Sequence, residues 1–106
     1  MEDLDNILKQ CQGFEWDKGN IAKSWLKHTV NPFETEKIFF NQPFIITKDK
    51  KHSQEEDRFY GLGKTGQDRF LFVCFTIRNR LIRIISSRDM NRKERKAYKT
   101  HEENNS

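Results

Sequence analysis

The 106-residue sequence lacks most of the features that would place it in a membrane, a metalloenzyme or an oxidising compartment. It has no run of 18 or more apolar residues, so we expect no membrane-spanning helix. Acidic residues stand near the N-terminus where a signal peptide needs basic ones, which favours a cytoplasmic protein. The two cysteines have none of the histidine spacing of a zinc site, so we expect no metal and no cofactor.

Familiar catalytic patterns are also missing. There is no Ser–His–Asp order, and the segment GLGKTG at residues 61–66 has the wrong spacing for a phosphate-binding loop. That segment also stands between two predicted strands instead of before a helix, so we discount it. The sequence is rich in aromatic residues instead, with nine Phe and two Trp, whose burial offsets an apolar content of only 34%.

The hydrophobic pattern predicts helices first and strands later. We expect helices at 3–10, 18–28, 32–40 and about 91–101, and strands at GFEWD, FIIT, RFYGLGK, 69–77 and LIRIISS. This order predicts an α+β fold: an antiparallel four-stranded sheet, a short N-terminal strand in addition, and helices packed on one face. We expect residues 1–13 to form an N-terminal extension with a short helix, 14–101 a single domain, and 102–106 a disordered tail.

Positive charge is concentrated in the second half of the chain. Residues 1–57 carry 8 Lys/Arg and 11 Asp/Glu, whereas residues 58–100 carry 12 Lys/Arg and 3 Asp/Glu. Eight of those 12 are arginines, which make bidentate contacts to phosphate and carboxylate that lysine cannot make. This imbalance indicates a nucleic acid or an acidic protein as the partner.

The last strand and the closing helix carry the arginines that stand out most. Arg83 lies between Ile82 and Ile84, so it faces away from them and needs an anion, either an internal carboxylate such as Glu15 or Glu56, or a phosphate. Arg88 follows at the predicted strand end. A cationic stripe with i, i+3, i+4 and i+7 spacing comes next, which we expect to bind RNA or another polyanion: Arg92, Arg95, Lys96 and Lys99.

A series of motifs in this chain resembles the BrnT family of bacterial toxins. The blocks are FEWD, KH, FFNQP, KHSQEEDRFYGLGKT and FVCFTIRNRLIRIISSRDMNRKER, from about residue 14 to residue 98. Three positions depart from the family pattern: Ser24 stands in place of a frequent Asn, Thr29 in place of the Gly that often follows Lys-His, and Ser87 in place of a common Ala.

The resemblance implies a small ribonuclease toxin with a fold like that of the RelE group, which cuts RNA and blocks translation. It also implies a partner antitoxin similar to BrnA, with a ribbon-helix-helix part that contacts DNA, so that DNA is reached only through the antitoxin. The matching positions carried over are Trp16, as a structural or partner-binding residue, and six catalytic candidates: Lys27, His28, Glu56, Arg58, Arg83 and Arg88.

RNA cleavage without a metal needs a base for the 2′-hydroxyl, an acid for the leaving oxygen and cations for the phosphate. Glu56 or His28 could be the base, and His28, His52 or Lys27 the acid. Arg83 and Arg88 suit the phosphate. The alternative is a non-catalytic nucleic-acid-binding or ribosome-associated regulator, for which the same cationic helix would serve.

Overall fold

The computed structural model describes residues 4–51, 56–66 and 69–104, and for residues 4, 5, 7, 24–26 and 28 it describes the backbone alone. The helices and strands of these residues follow one another in the predicted order. Their bounds are α1 Leu4–Lys9, β1 Gly13–Trp16, α2 Lys18–His28, α3 Pro32–Ile38, β2 Ile45–Lys48, β3 Arg58–Lys64, β4 Phe70–Arg78, β5 Leu81–Asp89 and α4 Arg92–Asn104. None of the helices in this part of the chain has the length and apolar character needed to cross a membrane.

The five strands form one sheet in the order β1-β5-β4-β3-β2. Strands β2 to β5 are antiparallel neighbours, whereas β1 pairs in parallel with the beginning of β5, with Gly13 beside Leu81. The predicted α+β class is confirmed. The sheet is nevertheless mixed and five-stranded, because the N-terminal strand is a full member of it at the β5 edge.

One face of the sheet carries the hydrophobic core. We call it the core face and define it by Val73, Phe75 and Ile84, which are all fully buried. The ring of Phe75 lies 5.2 Å from that of Phe39 and 5.6 Å from that of Phe59, measured between centroids. Burial of each large apolar side chain contributes roughly 1.5–3 kcal/mol, so this face supplies most of the stabilisation.

Helix α3 lies against the core face and is held there at its start. Asn31 caps the helix, accepting a hydrogen bond from the Glu34 backbone nitrogen at 2.9 Å. The Thr35 hydroxyl donates to the Ser87 hydroxyl at 2.8 Å, which ties the helix to β5.

The glycines of the GLGKTG segment allow this close packing. A Cβ on Gly61 would lie 2.3 Å from Cζ of Phe44, and a Cβ on Gly63 would lie 2.9 Å from Cβ of Ile38. Both glycines are part of β3 and face the core. Their role is therefore the close approach of α3 and Phe44 to the sheet.

Helix α4 packs on the opposite face, so the prediction of helices on one face is wrong. The fully buried ring of Tyr98 lies 5.9 Å from that of Phe70, which points away from the core face because its neighbour Leu71 points into it. The Tyr98 hydroxyl also donates to the Pro43 carbonyl at 2.6 Å. With one buried ring among many charges, the helix sequence gave no sign of which face it would cover. The helix also runs to Asn104, beyond the predicted end near His101; residues 105 and 106 lie outside the described part.

Candidate functional site

The face opposite the core face brings three of the predicted arginines together. We call it the arginine face and define it by Arg58, Arg83 and Arg88. Arg58 pairs with Thr76, Thr76 with Arg83, and Arg83 with Glu15, so one row of side chains crosses β3, β4, β5 and β1. Because neighbouring strands lie about 4.8 Å apart, the two long arginine side chains of this row can converge over Thr76.

A bulge in β5 places Arg88 on the same face as Arg83. Cys74 pairs with Ser86 and Phe75 pairs with Ile84, so Ile85 is an extra residue. Positions five apart in a regular strand would lie on opposite faces. The bulge shifts the alternation by one residue, and Arg88 is then opposite Phe72 on the arginine face.

Arg88 is already engaged by an acidic side chain. Its two terminal nitrogens donate to the two carboxylate oxygens of Glu94 at 2.8 and 3.0 Å, and its guanidinium lies 4.1 Å from the centroid of the Phe72 ring. Burial alone would raise the pKa of Glu94, but the hydrogen bonds from Arg88 and from the Asn91 backbone outweigh it and lower that pKa. A phosphate that reached Arg88 in this arrangement would compete with Glu94.

Arg83 differs from Arg88 because it is half-buried and makes no hydrogen bond or ion pair with any residue that the structure describes. Of the two carboxylates considered for it, neither Glu15 nor Glu56 forms an ion pair or a hydrogen bond with it. Beside it, the fully buried hydroxyl of Thr76 has no hydrogen-bond partner among the described residues. Buried polar groups are normally paired, so the Thr76 hydroxyl is an exception in this row.

A buried acidic group lies next to Arg58 and was missed by the sequence reasoning. Asp49 is only 5% exposed and accepts a hydrogen bond from the Tyr60 hydroxyl, which together with burial raises the pKa of Tyr60 to about 12. Burial likewise raises the pKa of the Cys74 thiol, although the charge of Arg58 opposes the shift. The loop position of Asp49 gave no sequence signal of this burial.

Glu56 lies at the edge of the arginine face, where it is held by Arg78. The carboxylate accepts a hydrogen bond from the Arg78 guanidinium at 2.8 Å, which raises the pKa of Arg78. Both side chains are well exposed, at 46% for Arg78 and 36% for Glu56. The pair leaves Glu56 less available as a base than an unpaired carboxylate.

The carboxyl end of α2, which carries Lys27 and His28, lies near the end of β5. The guanidinium of Arg69 donates to the Thr29 carbonyl at 3.0 Å and to Asp89 at 2.8 Å, and Asp89 follows Arg88 directly. Hydrogen bonding to Asp89 raises the pKa of Arg69. Lys27 is exposed, whereas the side chain of His28 and the whole of His52 lie outside the described residues.

Trp16 lies apart from the three arginines. Its indole nitrogen donates to the Glu36 carboxylate at 2.9 Å, and the side chain packs against the hydrophobic core. This contact joins β1 to α3, so Trp16 contributes to the packing of the fold. Among the described residues, no three His, Cys, Asp or Glu side chains are grouped as a metal site would require.

The predicted cationic stripe of α4 extends the arginine face. The guanidinium of Arg95 lies 4.9 Å and the ammonium of Lys99 lies 5.4 Å from the centroid of the Phe70 ring. Arg92 and Lys96 are exposed on the same helix. The four side chains therefore form a cationic margin beside the Arg88–Glu94 pair.

Comparison with known proteins identifies the family. Residues 16–94 match the family described as ribonuclease toxin, BrnT, of type II toxin-antitoxin system. The crystal structure of the Brucella abortus ribonuclease toxin BrnT is similar, with a TM-score of 0.60, 17% identity, and coverage of 76% of this chain and 99% of that chain. Among curated proteins, no match is found. Because the family match spans well over half of the sequence, the chain belongs to the BrnT family of ribonuclease toxins of type II toxin–antitoxin systems.

Proposed function

We propose that this protein is a metal-independent endoribonuclease, with a fold like that of the RelE group, that cuts RNA in the cytoplasm and thereby blocks translation. The observation that carries the proposal is Arg83, a half-buried guanidinium on a sheet face without an anion among the described residues. Burial of an arginine is costly unless its head meets an anion, and an RNA phosphate would supply one.

In this proposal the scissile phosphate lies over Thr76, between Arg58 and Arg83. The 2′-hydroxyl attacks the neighbouring phosphorus, and negative charge builds on the phosphate oxygens. Fixed guanidinium groups stabilise that charge without losing a proton, which is the part of the chemistry that arginine performs best. The Thr76 hydroxyl, which has no hydrogen-bond partner in the described part of the chain, lies in the same row.

The remaining catalytic candidates would supply the proton transfers. The sequence offers His28, His52 or Lys27 as the acid, and Glu56 or His28 as candidates for the base. Arg88 is proposed to act with its Glu94 partner, either by holding the end of β5 in place or by exchanging Glu94 for a phosphate.

The α4 stripe is proposed to bind the RNA backbone on one side of the cut. Contacts from lysine and arginine to phosphates carry no base specificity, and they weaken steeply as salt rises. RNA binding by this protein should therefore be strongly salt-dependent.

A type II toxin has a protein antitoxin. We propose that this partner resembles BrnA, that it covers the arginine face with acidic side chains, and that its ribbon-helix-helix part makes any contact with DNA.

The test is cleavage of RNA by the purified protein in the presence of a chelator. We expect cleavage to persist and to fall about 10²–10³-fold in Arg83→Gln, the loss typical of removing one donor to a developing oxyanion. Lys37→Gln is the matched control, because it removes one positive charge from an exposed position on α3.

Full activity of Arg83→Gln would overturn the proposal that Arg58 and Arg83 hold the scissile phosphate over Thr76. Tight RNA binding by the wild-type protein without any product would instead favour a non-catalytic nucleic-acid-binding or ribosome-associated regulator.

A further inference from the structure

We propose that Glu15 is the general base of the cleavage reaction, the group that accepts the proton of the attacking 2′-hydroxyl. The inference rests on the proposed ribonuclease function and names a residue that motif matching did not select. The sequence had suggested Glu15 only as a possible internal partner of Arg83.

The position of Glu15 in the sheet suits a base that acts beside Arg83. Glu15 pairs with Arg83 in the parallel ladder of β1 and β5, and its neighbours Phe14 and Trp16 pack toward the hydrophobic core. Alternation along β1 therefore directs Glu15 to the arginine face. Its Cα lies about 4.8 Å from that of Arg83, one strand spacing away, so a phosphate on Arg83 would bring its own 2′-hydroxyl close to the carboxylate.

The other described carboxylates around the arginine face already have hydrogen-bond or ion-pair partners. Glu94 is bound bidentately by Arg88, and Glu56 is hydrogen-bonded to Arg78. Asp49 is buried and accepts a hydrogen bond from Tyr60. Glu15 is half-buried and makes no hydrogen bond or ion pair with any residue in the described part of the chain.

Positively charged side chains lie around Glu15. Arg83 lies beside it in the row, Arg58 lies two strands further along, and the charge of Glu15 helps to raise the pKa of Arg78 on β4. These cations would hold an RNA phosphate, and with it the attacking 2′-hydroxyl, beside the Glu15 carboxylate. Arg78 also forms an ion pair with the Glu56 carboxylate.

The reaction is an internal transesterification of the RNA. The 2′-hydroxyl proton passes to the Glu15 carboxylate while the 2′-oxygen forms a bond to phosphorus. The bond from phosphorus to the 5′-oxygen breaks, and that oxygen takes a proton from an acidic side chain or from water. The products are a 2′,3′-cyclic phosphate and a 5′-hydroxyl, and no electrons are exchanged with another reagent.

The experiment compares Glu15→Gln with the wild-type protein on an RNA that the wild type cuts. A general base contributes on the order of 10²–10⁴-fold, so we expect kcat to fall by that factor. Binding to the same RNA carrying 2′-O-methyl groups should be unchanged, because the amide has nearly the same shape. Glu15→Asp, which keeps the carboxylate, should recover part of the activity.

Asp57→Asn is the matched control, because Asp57 is an exposed carboxylate paired with Lys48 at 3.2 Å. We expect it to cleave as the wild type does. If Glu15→Gln keeps full activity while Arg83→Gln is inactive, the base is another group and the ribonuclease proposal stands. If Glu15→Gln loses affinity for the methylated RNA to the same degree as activity, Glu15 acts in binding and the proposal fails. An inactive wild type would overturn both proposals together.

Discussion

The two faces of the sheet differ in their burial and in how far their polar side chains are paired. On the core face, apolar side chains such as Phe75 and Ile84 are fully buried, and the polar pair Thr35–Ser87 satisfies itself. On the arginine face, Arg83 has no anion and the Thr76 hydroxyl no partner among the described residues. Proteins depart from complete polar pairing mostly where they function, and this difference supports the proposal that one face stabilises the fold and the other binds RNA.

The separation arises within single strands. Phe75 and Thr76 are neighbours in β4 and point to opposite faces, as do Arg83 and Ile84 in β5. Substitutions on the two faces should therefore affect different properties. Changes on the core face should lower stability, and changes on the arginine face should lower RNA cleavage with little loss of stability.

The largest effect on stability is expected from Phe75→Ala. Phe75 is fully buried and its ring contacts those of Phe39, Phe44 and Phe59. Truncation leaves a cavity that these neighbours cannot fill, so the free energy of unfolding should fall by about 3–5 kcal/mol. Urea denaturation followed by circular dichroism measures this.

The matched control is Phe72→Ala on the same strand. Phe72 lies on the arginine face, half-buried under Arg88 and beside Tyr60. Its truncation should cost clearly less than that of Phe75. Equal losses from the two substitutions would show that the arginine face contributes to stability as much as the core face does.

The sequence predicted the parts of this comparison that local rules determine. The alternation of side chains along β5 correctly predicted that Ile82 and Ile84 lie on one face and Arg83 on the other. The cap of α3 at Asn31 and the capping box of Asn91 with Glu94 likewise follow from local sequence patterns. Each depends only on residues within four positions of one another.

What the sequence could not predict depends on distant contacts. The bulge at Ile85, which puts Arg88 on the same face as Arg83, has no sequence marker. The pairing of Glu15 with Arg83 joins residues far apart in the chain, and the choice of face by α4 depends on Pro43 and Phe70 meeting Tyr98. The roles assigned to the site residues stay predictions until the variants are measured.

A smaller effect is expected from Glu94→Gln, which tests how far Arg88 belongs to structure and how far to binding. Glutamine can keep the hydrogen bond to the Asn91 backbone but removes the charge that Arg88 meets. The pair is partly exposed, at 33% for Arg88 and 21% for Glu94. We therefore expect a loss of about 1–2 kcal/mol at neutral pH.

This loss should depend on pH in a defined direction. The pKa of Glu94 in the folded protein is below its ordinary value of 4.5. The stabilisation is therefore complete above that pH and disappears as pH falls through the lowered pKa, because the unfolded chain then binds the proton more readily. Unfolding of both proteins from pH 7 to pH 3 measures it. A difference in stability that does not shrink on acidification would contradict the charge interaction as its source.

The smallest effect is expected where α2 ends, and it should be a gain. Thr29 has a φ of 55°, in the left-handed region that a β-branched residue rarely adopts, at a position where the family often has glycine. Thr29→Gly removes this strain but makes the unfolded chain more flexible, so we expect a net gain of about 0.5–1 kcal/mol. The Thr29 carbonyl keeps its hydrogen bond from Arg69, since the substitution leaves the backbone oxygen in place.

Asn79→Gly is the control. Asn79 has a φ of 54°, but asparagine tolerates that conformation, so the stability of the protein should hardly change. A gain at Asn79 as large as that at Thr29 would mean that the strain at the end of α2 is not what limits stability there.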